Sequence, residues 1–218
     1  MSTISQYSPF PSTFSTELIE TLLHIEELEE EFEMELETDF APNSSLKKVR
    51  LWSIPRTTGQ LLHSWVASAQ PQTIVECGTS AGYSTLWLAA AAAQYGGHVY
   101  TIDSSAVKTE LAWKHIVRAG LQEYITIIQA PIADALQKWN QPIDMVFFDA
   151  DKKNTLSFLN QIEKKLTNEA MIIVDDVLDI REPMIDFIEY MHQSPDYSYQ
   201  EFDIDHGIGF AKNISFTK

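Results

Sequence analysis

Two apolar runs in this 218-residue chain end in acids. IDMVFFDADKKN (143–154) runs into Asp149 and Asp151, with Lys152 and Lys153 behind them. MIIVDDVLD (171–179) runs into Asp175 and Asp176. If both runs are strands and neighbours in a parallel sheet, their carboxyl ends lie side by side and three carboxylates converge at one sheet edge. Like charges placed that close are costly unless a cation or a proton compensates them. A divalent cation is the natural solution. Oxygen ligands alone favour Mg²⁺ or Ca²⁺, with Mn²⁺ as a substitute, and a site that keeps places for water or substrate oxygens favours Mg²⁺.

A second constellation is VECGTSAGYSTLWLA (75–89). It reads as a strand ending in Val75–Glu76, a loop from Cys77 to Gly82, and a helix. The glycines permit close backbone approach. A dinucleotide site wants G-x-G-x-x-G, whereas Glu76-x-Gly78-x-x-x-Gly82 lacks the middle glycine that admits a pyrophosphate. That spacing argues for an adenosyl ligand without phosphates. Asp103 ends the next strand-like run, HVYTID, where a carboxylate can accept both ribose hydroxyl hydrogens. Its plainer reading is a helix N-cap, a role open to Ser104 and Ser105 as well. Cys77 reads as a small buried hydrophobe rather than a nucleophile. The six histidines show no H-x-x-x-H pair for zinc, and His206 reads as structural.

The elements that must position these residues follow from periodicity. Strands are expected at Thr73–Glu76, His98–Asp103, Ile125–Gln129, Ile143–Asp149 and Ala170–Asp175. Helices are expected at 83–94, 105–119, 132–139 and 153–166, with Gly120 as a C-terminal stop. After a helix at about 181–193, Tyr197–Asp203 and Ile208–Lys212 flank Asp205–His206–Gly207 as a hairpin. The expected fold is α/β: a Rossmann-like, doubly wound, mostly parallel seven-stranded sheet with an antiparallel C-terminal hairpin and helices on both faces. Residues 1–15 read as a mobile or extended arm. Residues 16–37 read as an amphipathic helix through Leu18, Leu22, Ile25, Leu28, Phe32 and Leu36, docked on the domain or a second subunit, or serving as a lid. The chain thus divides into an N-terminal arm and helix (1–45) and a main domain (46–218).

The totals narrow the class. The formal charge is −16, and removing the eight glutamates of residues 26–37 leaves −8. An acidic surface repels nucleic acid backbones, and no basic cluster exceeds Lys47–Lys48–Arg50. There is no apolar run of membrane-spanning length and no secretion signal, and the one cysteine cannot form an internal disulfide; a cytoplasmic protein is expected.

VECGTSAGYSTLWLA resembles motif I of the class I methyltransferases. With SIPRTTGQLL (53–62), AWKHIVRAGL (112–121) and DHGIGFAKN (205–213), it is similar to the small O-methyltransferases related to the catechol and caffeoyl-coenzyme A enzymes. The resemblance implies that Glu76, Gly78, Gly82, Ser84 and Asp103 surround the methyl donor S-adenosylmethionine, with Thr79, Ser80, Tyr83, Ser104 and Asp149 beside them. Gln129–Ala130–Pro131 stands where relatives often have Gly-Asp-Ala bordering the adenine. Ala130 and Pro131 then keep backbone contacts, and only Asp134 could replace the carboxylate. The implied metal ligands are Asp149, Asp175 and Asp176, the last replacing the usual asparagine; that change could tighten metal binding, alter metal preference or mark a lost metal role. Lys152 falls on the family's general base, which a nearby cation would activate by depressing its pKa; the plainer reading is a surface lysine like Lys153. The implied reaction moves a methyl group in line to a hydroxyl of a small, possibly catechol-like acceptor, in a protein that is a homodimer. The acceptor walls are expected from residues 38–56 and 177–183 and the N-terminal helix. The alternatives are a methyltransferase for a hydroxylated transfer-RNA base, and a non-catalytic adenosyl-binding protein with a decayed metal site.

Overall fold

The structure, a computed structural model, describes residues 9–37 and 50–215. The expected division at residue 45 lies outside them. Seven strands form one sheet in the order β3-β2-β1-β4-β5-β7-β6. They are β1 Thr73–Cys77, β2 His98–Asp103, β3 Ile125–Gln129, β4 Ile143–Phe148, β5 Leu166–Val174, β6 Tyr197–Phe202 and β7 Ile208–Asn213. The first five run parallel, and β7 pairs antiparallel with both β5 and β6. The expected α/β fold class is therefore observed. β1 and β4 are buried along almost their whole length because helices cover both faces of the sheet.

The helices are α1 Thr16–Glu37, α2 Arg56–Ala69, α3 Tyr83–Ala92, α4 Ala106–Arg118, α5 Ile132–Lys138, α6 Thr155–Ile162 and α7 Ile185–Gln193. Every residue of α3 is buried, as an all-round apolar helix requires. Its Trp87 is fully buried and stacks on Phe10, while Phe14 packs against the same ring. Residues 9–15 are thus an arm laid on the core. Leu18, Leu22 and Ile25 sink α1 into that core, and its contacts are with α3 and α4. The helix is docked, as its periodicity indicates.

Several boundaries differ from the sequence reading, most clearly those between residues 152 and 170. The expected helix at 153–166 is α6 flanked by 3-10 turns at Lys152–Asn154 and Glu163–Lys165, and β5 begins at Leu166 rather than Ala170. The early part of β5, LTNE, is half-buried to exposed, and its pairing with β4 shifts register between Ile143 and Met145. A polar, irregular start to a strand leaves no apolar signal.

β1 sits between β2 and β4, so the strand order reverses there. Ligands of open α/β sheets bind beyond the carboxyl ends of strands at such a switch point. The loops after β1, β2, β4 and β5 all meet at that edge.

Candidate active site

The chain leaves β1 through Gly78, whose φ is +113°. A Cβ there would lie 2.1 Å from the Asp149 carbonyl oxygen, so only glycine lets the two loops pass this closely. The loops are tied by the Asp149 N–H, which donates to the Cys77 carbonyl at 2.9 Å. Gly82, at φ +85°, starts α3 directly against Ala112 of α4. The Thr79 and Thr101 hydroxyls meet at 2.6 Å beneath the loop, and the Ser80 hydroxyl donates to the Leu51 carbonyl.

Asp103 organises this loop from the end of β2. Its Oδ2 accepts from the Ser80 N–H at 3.0 Å, and its Oδ1 accepts from the Ser105 N–H at 2.8 Å. Each oxygen keeps a further lone pair for a ligand hydroxyl. The N-cap of α4 is Ser105, which accepts from the Lys108 N–H; Ser104 is exposed. Glu76 lies fully buried behind the loop. Thr85 donates to its Oε2, while its Oε1 has no hydrogen-bond partner among the described residues. Burial pushes its pKa up to about 7 against the opposing bonds from Ser84, Thr101 and Thr85.

The acids after β4 and β5 do converge. Asp149, Asp175 and Asp176 each place a carboxylate oxygen within 4.8 Å of the others. Asp151 stays out of the cluster and accepts from the Asn154 amide at 2.6 Å. Asp176 adopts φ +63°, an uncommon conformation for a residue with a side chain. Asp175 is buried, its Oδ1 is unpartnered among the described residues, and its pKa is pushed up to about 8 by burial and by the Asp149 charge. An orphaned buried carboxylate oxygen beside two more carboxylates suits a hard divalent cation.

Lys152 is half-buried in this cluster rather than lying free on the surface. Its Nζ is 2.9 Å from Asp149 Oδ1 and 2.8 Å from Asp176 Oδ2, and it donates to the Asp175 carbonyl at 3.3 Å. Burial works to lower its pKa, but Asp149, Asp176 and Asp175 together outweigh burial and raise it. The depressed pKa expected from the sequence presupposes a cation's charge among these carboxylates; with the carboxylates alone, Lys152 is an ammonium.

All of this opens on one cavity of about 720 Å³, a size that accepts a drug-sized ligand. Of the residues singled out from the sequence, Gly78, Thr79, Ser80, Tyr83, Ser84, Asp103, Asp149, Lys152, Asp175 and Asp176 line it. Glu76, Gly82, Ser104, Ala130 and Pro131 are not in its wall. Glu76 and Gly82 shape the loop from behind, and the Ala130 N–H donates to the Asp103 carbonyl at 3.1 Å. Trp52, Ser53, Ile54, Asp179 and Ile180 come from the loops expected to form the acceptor walls, and Glu29 from α1. Lys108 also lines the cavity and was missed, and His206, read from the sequence as structural, lines it too. His206 lies in DHGIGFAKN, but its place at the cavity comes from the loop before β7. Lys108 lies one turn into α4, with its ammonium 5.0 Å from the Trp52 ring centroid.

Residues 75–177 match a family model described as a methyltransferase domain. A catechol O-methyltransferase from Mycobacterium tuberculosis is 31% identical over 121 residues, 55% of this chain and 54% of that protein. The chain spans little more than half the length of the curated relatives it first matches. Solved structures align over more. An O-methyltransferase from Bacillus cereus, in complex with SAH, has a TM-score of 0.70 at 25% identity, covering 95% of this chain and 93% of that one. A Klebsiella pneumoniae protein described as an O-methyltransferase reaches 0.76 at 21% identity, covering 97% and 94%, a likeness of fold. By its fold and these matches, the chain is similar to the S-adenosylmethionine-dependent O-methyltransferases that include the catechol and caffeoyl-coenzyme A enzymes.

Proposed function

We propose that this chain transfers the methyl group of S-adenosylmethionine to a hydroxyl of a small, hydroxylated, catechol-like aromatic, with a divalent cation, Mg²⁺ above all, assisting. The observation that carries the reading is the sharing of one cavity by the glycine loop, Asp103 and the cluster of Asp149, Asp175 and Asp176 with Lys152. Relatives named as catechol O-methyltransferases support the acceptor class.

The roles follow from position. The loop from Gly78 to Ser84 and the Asp103 carboxylate hold the donor, the latter through its free lone pairs toward the ribose. Asp149, Asp175 and Asp176 would hold the cation. A bound divalent cation lowers the pKa of an acceptor hydroxyl and orients its oxygen. Asp149 belongs to both halves of the site, since its backbone is tied to Cys77 and its side chain lies in the cluster. Lys152 Nζ, fixed between Asp149 and Asp176, is the atom placed to handle the acceptor proton. The loops hold donor and acceptor at attack distance, and positioning of that kind supplies much of a transfer enzyme's rate. The acidic cavity and the net charge of −16 weigh against a transfer-RNA acceptor.

The test is methyl transfer from S-adenosylmethionine to catechol, followed by mass spectrometry as Mg²⁺ is titrated. Turnover should rise with Mg²⁺ and stop with a chelator. D149A should lower it by roughly a hundredfold or more, the equivalent of several kcal/mol of charge stabilisation. Donor binding by calorimetry should stay within a few-fold of the parent. Loss of donor binding together with turnover would contradict the division of roles, and metal-independent turnover would remove the cation from the reading.

A further inference from the structure

The rim of the cavity carries an exposed histidine–aspartate pair outside the acid cluster. His206 and Asp179 both line the cavity, and His206 Nδ1 lies 2.7 Å from Asp179 Oδ2. Backbone bonds fix their place. The Leu178 and Asp179 N–H groups both donate to the His206 carbonyl at 3.2 Å, and the Val177 N–H donates to the Gly207 carbonyl at 3.1 Å. Gly207 has φ +92°, and a Cβ on it would lie 2.4 Å from the Leu178 side chain. On the other side Asp205 Oδ2 accepts from the Thr58 N–H at 3.1 Å and its hydroxyl at 2.7 Å. The loop that carries Asp179 begins at Asp175 and Asp176, so the pair stands at a set position relative to the acid cluster. With Nδ1 engaged by Asp179, Nε2 makes no hydrogen bond to the described residues and is the ring atom left for a ligand.

We propose that His206, oriented by Asp179, is a specificity-determining residue that binds a neutral hydroxyl of the acceptor other than the one methylated. The proposal rests on the O-methyltransferase reading above. A hydroxyl both donates and accepts, so it satisfies Nε2 in either protonation state of the imidazole. A carboxylate fits worse. Neutral imidazole offers it no donor, and beside imidazolium Asp179 already cancels the charge while Asp176 and Asp175 add negative potential. An apolar substituent leaves the polar pair unmatched.

The test uses full-length protein loaded with Mg²⁺ and S-adenosylhomocysteine. Three catechols that differ only in one ring substituent, methyl, hydroxymethyl or carboxylate, are titrated by calorimetry, and the same three serve as acceptors in turnover with S-adenosylmethionine. The hydroxymethyl compound should bind about threefold to tenfold more tightly than the methyl compound, the worth of one hydrogen bond, with the carboxylate weakest. H206A and D179N should bring the hydroxymethyl-to-methyl ratio to within about twofold, and H206Q should restore part of it. Thermal unfolding of each variant verifies folding. A wild-type ratio of one, a ratio unchanged in H206A, or tightest binding of the carboxylate overturns the proposal. If the protein methylates none of the three while the binding ratio holds, the catechol-like acceptor of the proposed function falls, and His206 stands only as a hydroxyl-binding residue of the cavity. Methylation without the ratio defeats the assignment alone.

Discussion

At the scale of single residues, Glu76 is the acid whose cost is most visible. It is fully buried, its Oε1 lacks a partner among the described residues, and burial moves its pKa from 4.5 to about 7. The folded state therefore binds more protons than the unfolded chain between those values. Where the native state holds the extra proton, stability falls as pH rises, so the loss runs from about pH 4.5 through about 7. The size of the effect is on the order of 3 kcal/mol. E76Q keeps the shape and cannot ionise. Its thermal midpoint should drop less between pH 5 and pH 8 than that of the parent, by several degrees, as differential scanning calorimetry would read directly. Parallel pH profiles for the two proteins would show that the Glu76 charge is compensated in solution.

Among the elements, α1 does more than shield the core. Glu29 Oε1 accepts from the Trp52 N–H at 3.1 Å, and Oε2 accepts from the Ser53 N–H at 3.3 Å and its hydroxyl at 3.0 Å. The helix thus holds the loop that forms one cavity wall, and that loop's Leu51 carbonyl takes the Ser80 hydroxyl of the glycine loop. Bonds to a carboxylate are among the stronger ones, at about 1.5–3 kcal/mol each. E29A should raise KM for the acceptor about fivefold or more while KM for the donor changes less, a split that initial-rate kinetics resolves; equal KM values to the parent would show that the loop holds itself. This role was not legible in the sequence, because Glu29 sits in a run of eight glutamates that reads as a solvated face. The strands were legible where both sheet faces are covered, since β1 and β4 are then short, mostly apolar and buried runs. Asp149, Asp175 and Asp176 were legible because parallel strands deliver their C-terminal residues to one edge. His206 and Lys108 were not. Their approach to the cavity depends on loop pairing and on the turn into α4, which have no periodic pattern. The start of β5 was lost for the related reason that its first residues are polar.

For the molecule as a whole, the net charge of −16 and the three clustered carboxylates share one consequence. Self-repulsion weakens the compact state, and a cation bound only by the folded protein opposes that. Saturation at a hundred times the dissociation constant contributes about 2.7 kcal/mol. For a chain of this size each kcal/mol moves the midpoint by about 2–4 °C, so Mg²⁺ should raise it by roughly 5–10 °C. General screening by salt would also raise the midpoint of an acidic protein, so the comparison must hold ionic strength constant with NaCl. The separation then lies in two Asp→Asn variants, one inside the cluster and one outside it. D175N changes the buried carboxyl with the orphaned oxygen and should abolish the Mg²⁺-specific increment. D151N neutralises an acid bound to Asn154 outside the cluster and should leave the increment intact. Thermal scans of the three proteins at matched ionic strength decide it. Equal increments in all three would mean that the cation acts on the acidic surface at large and not at the cluster.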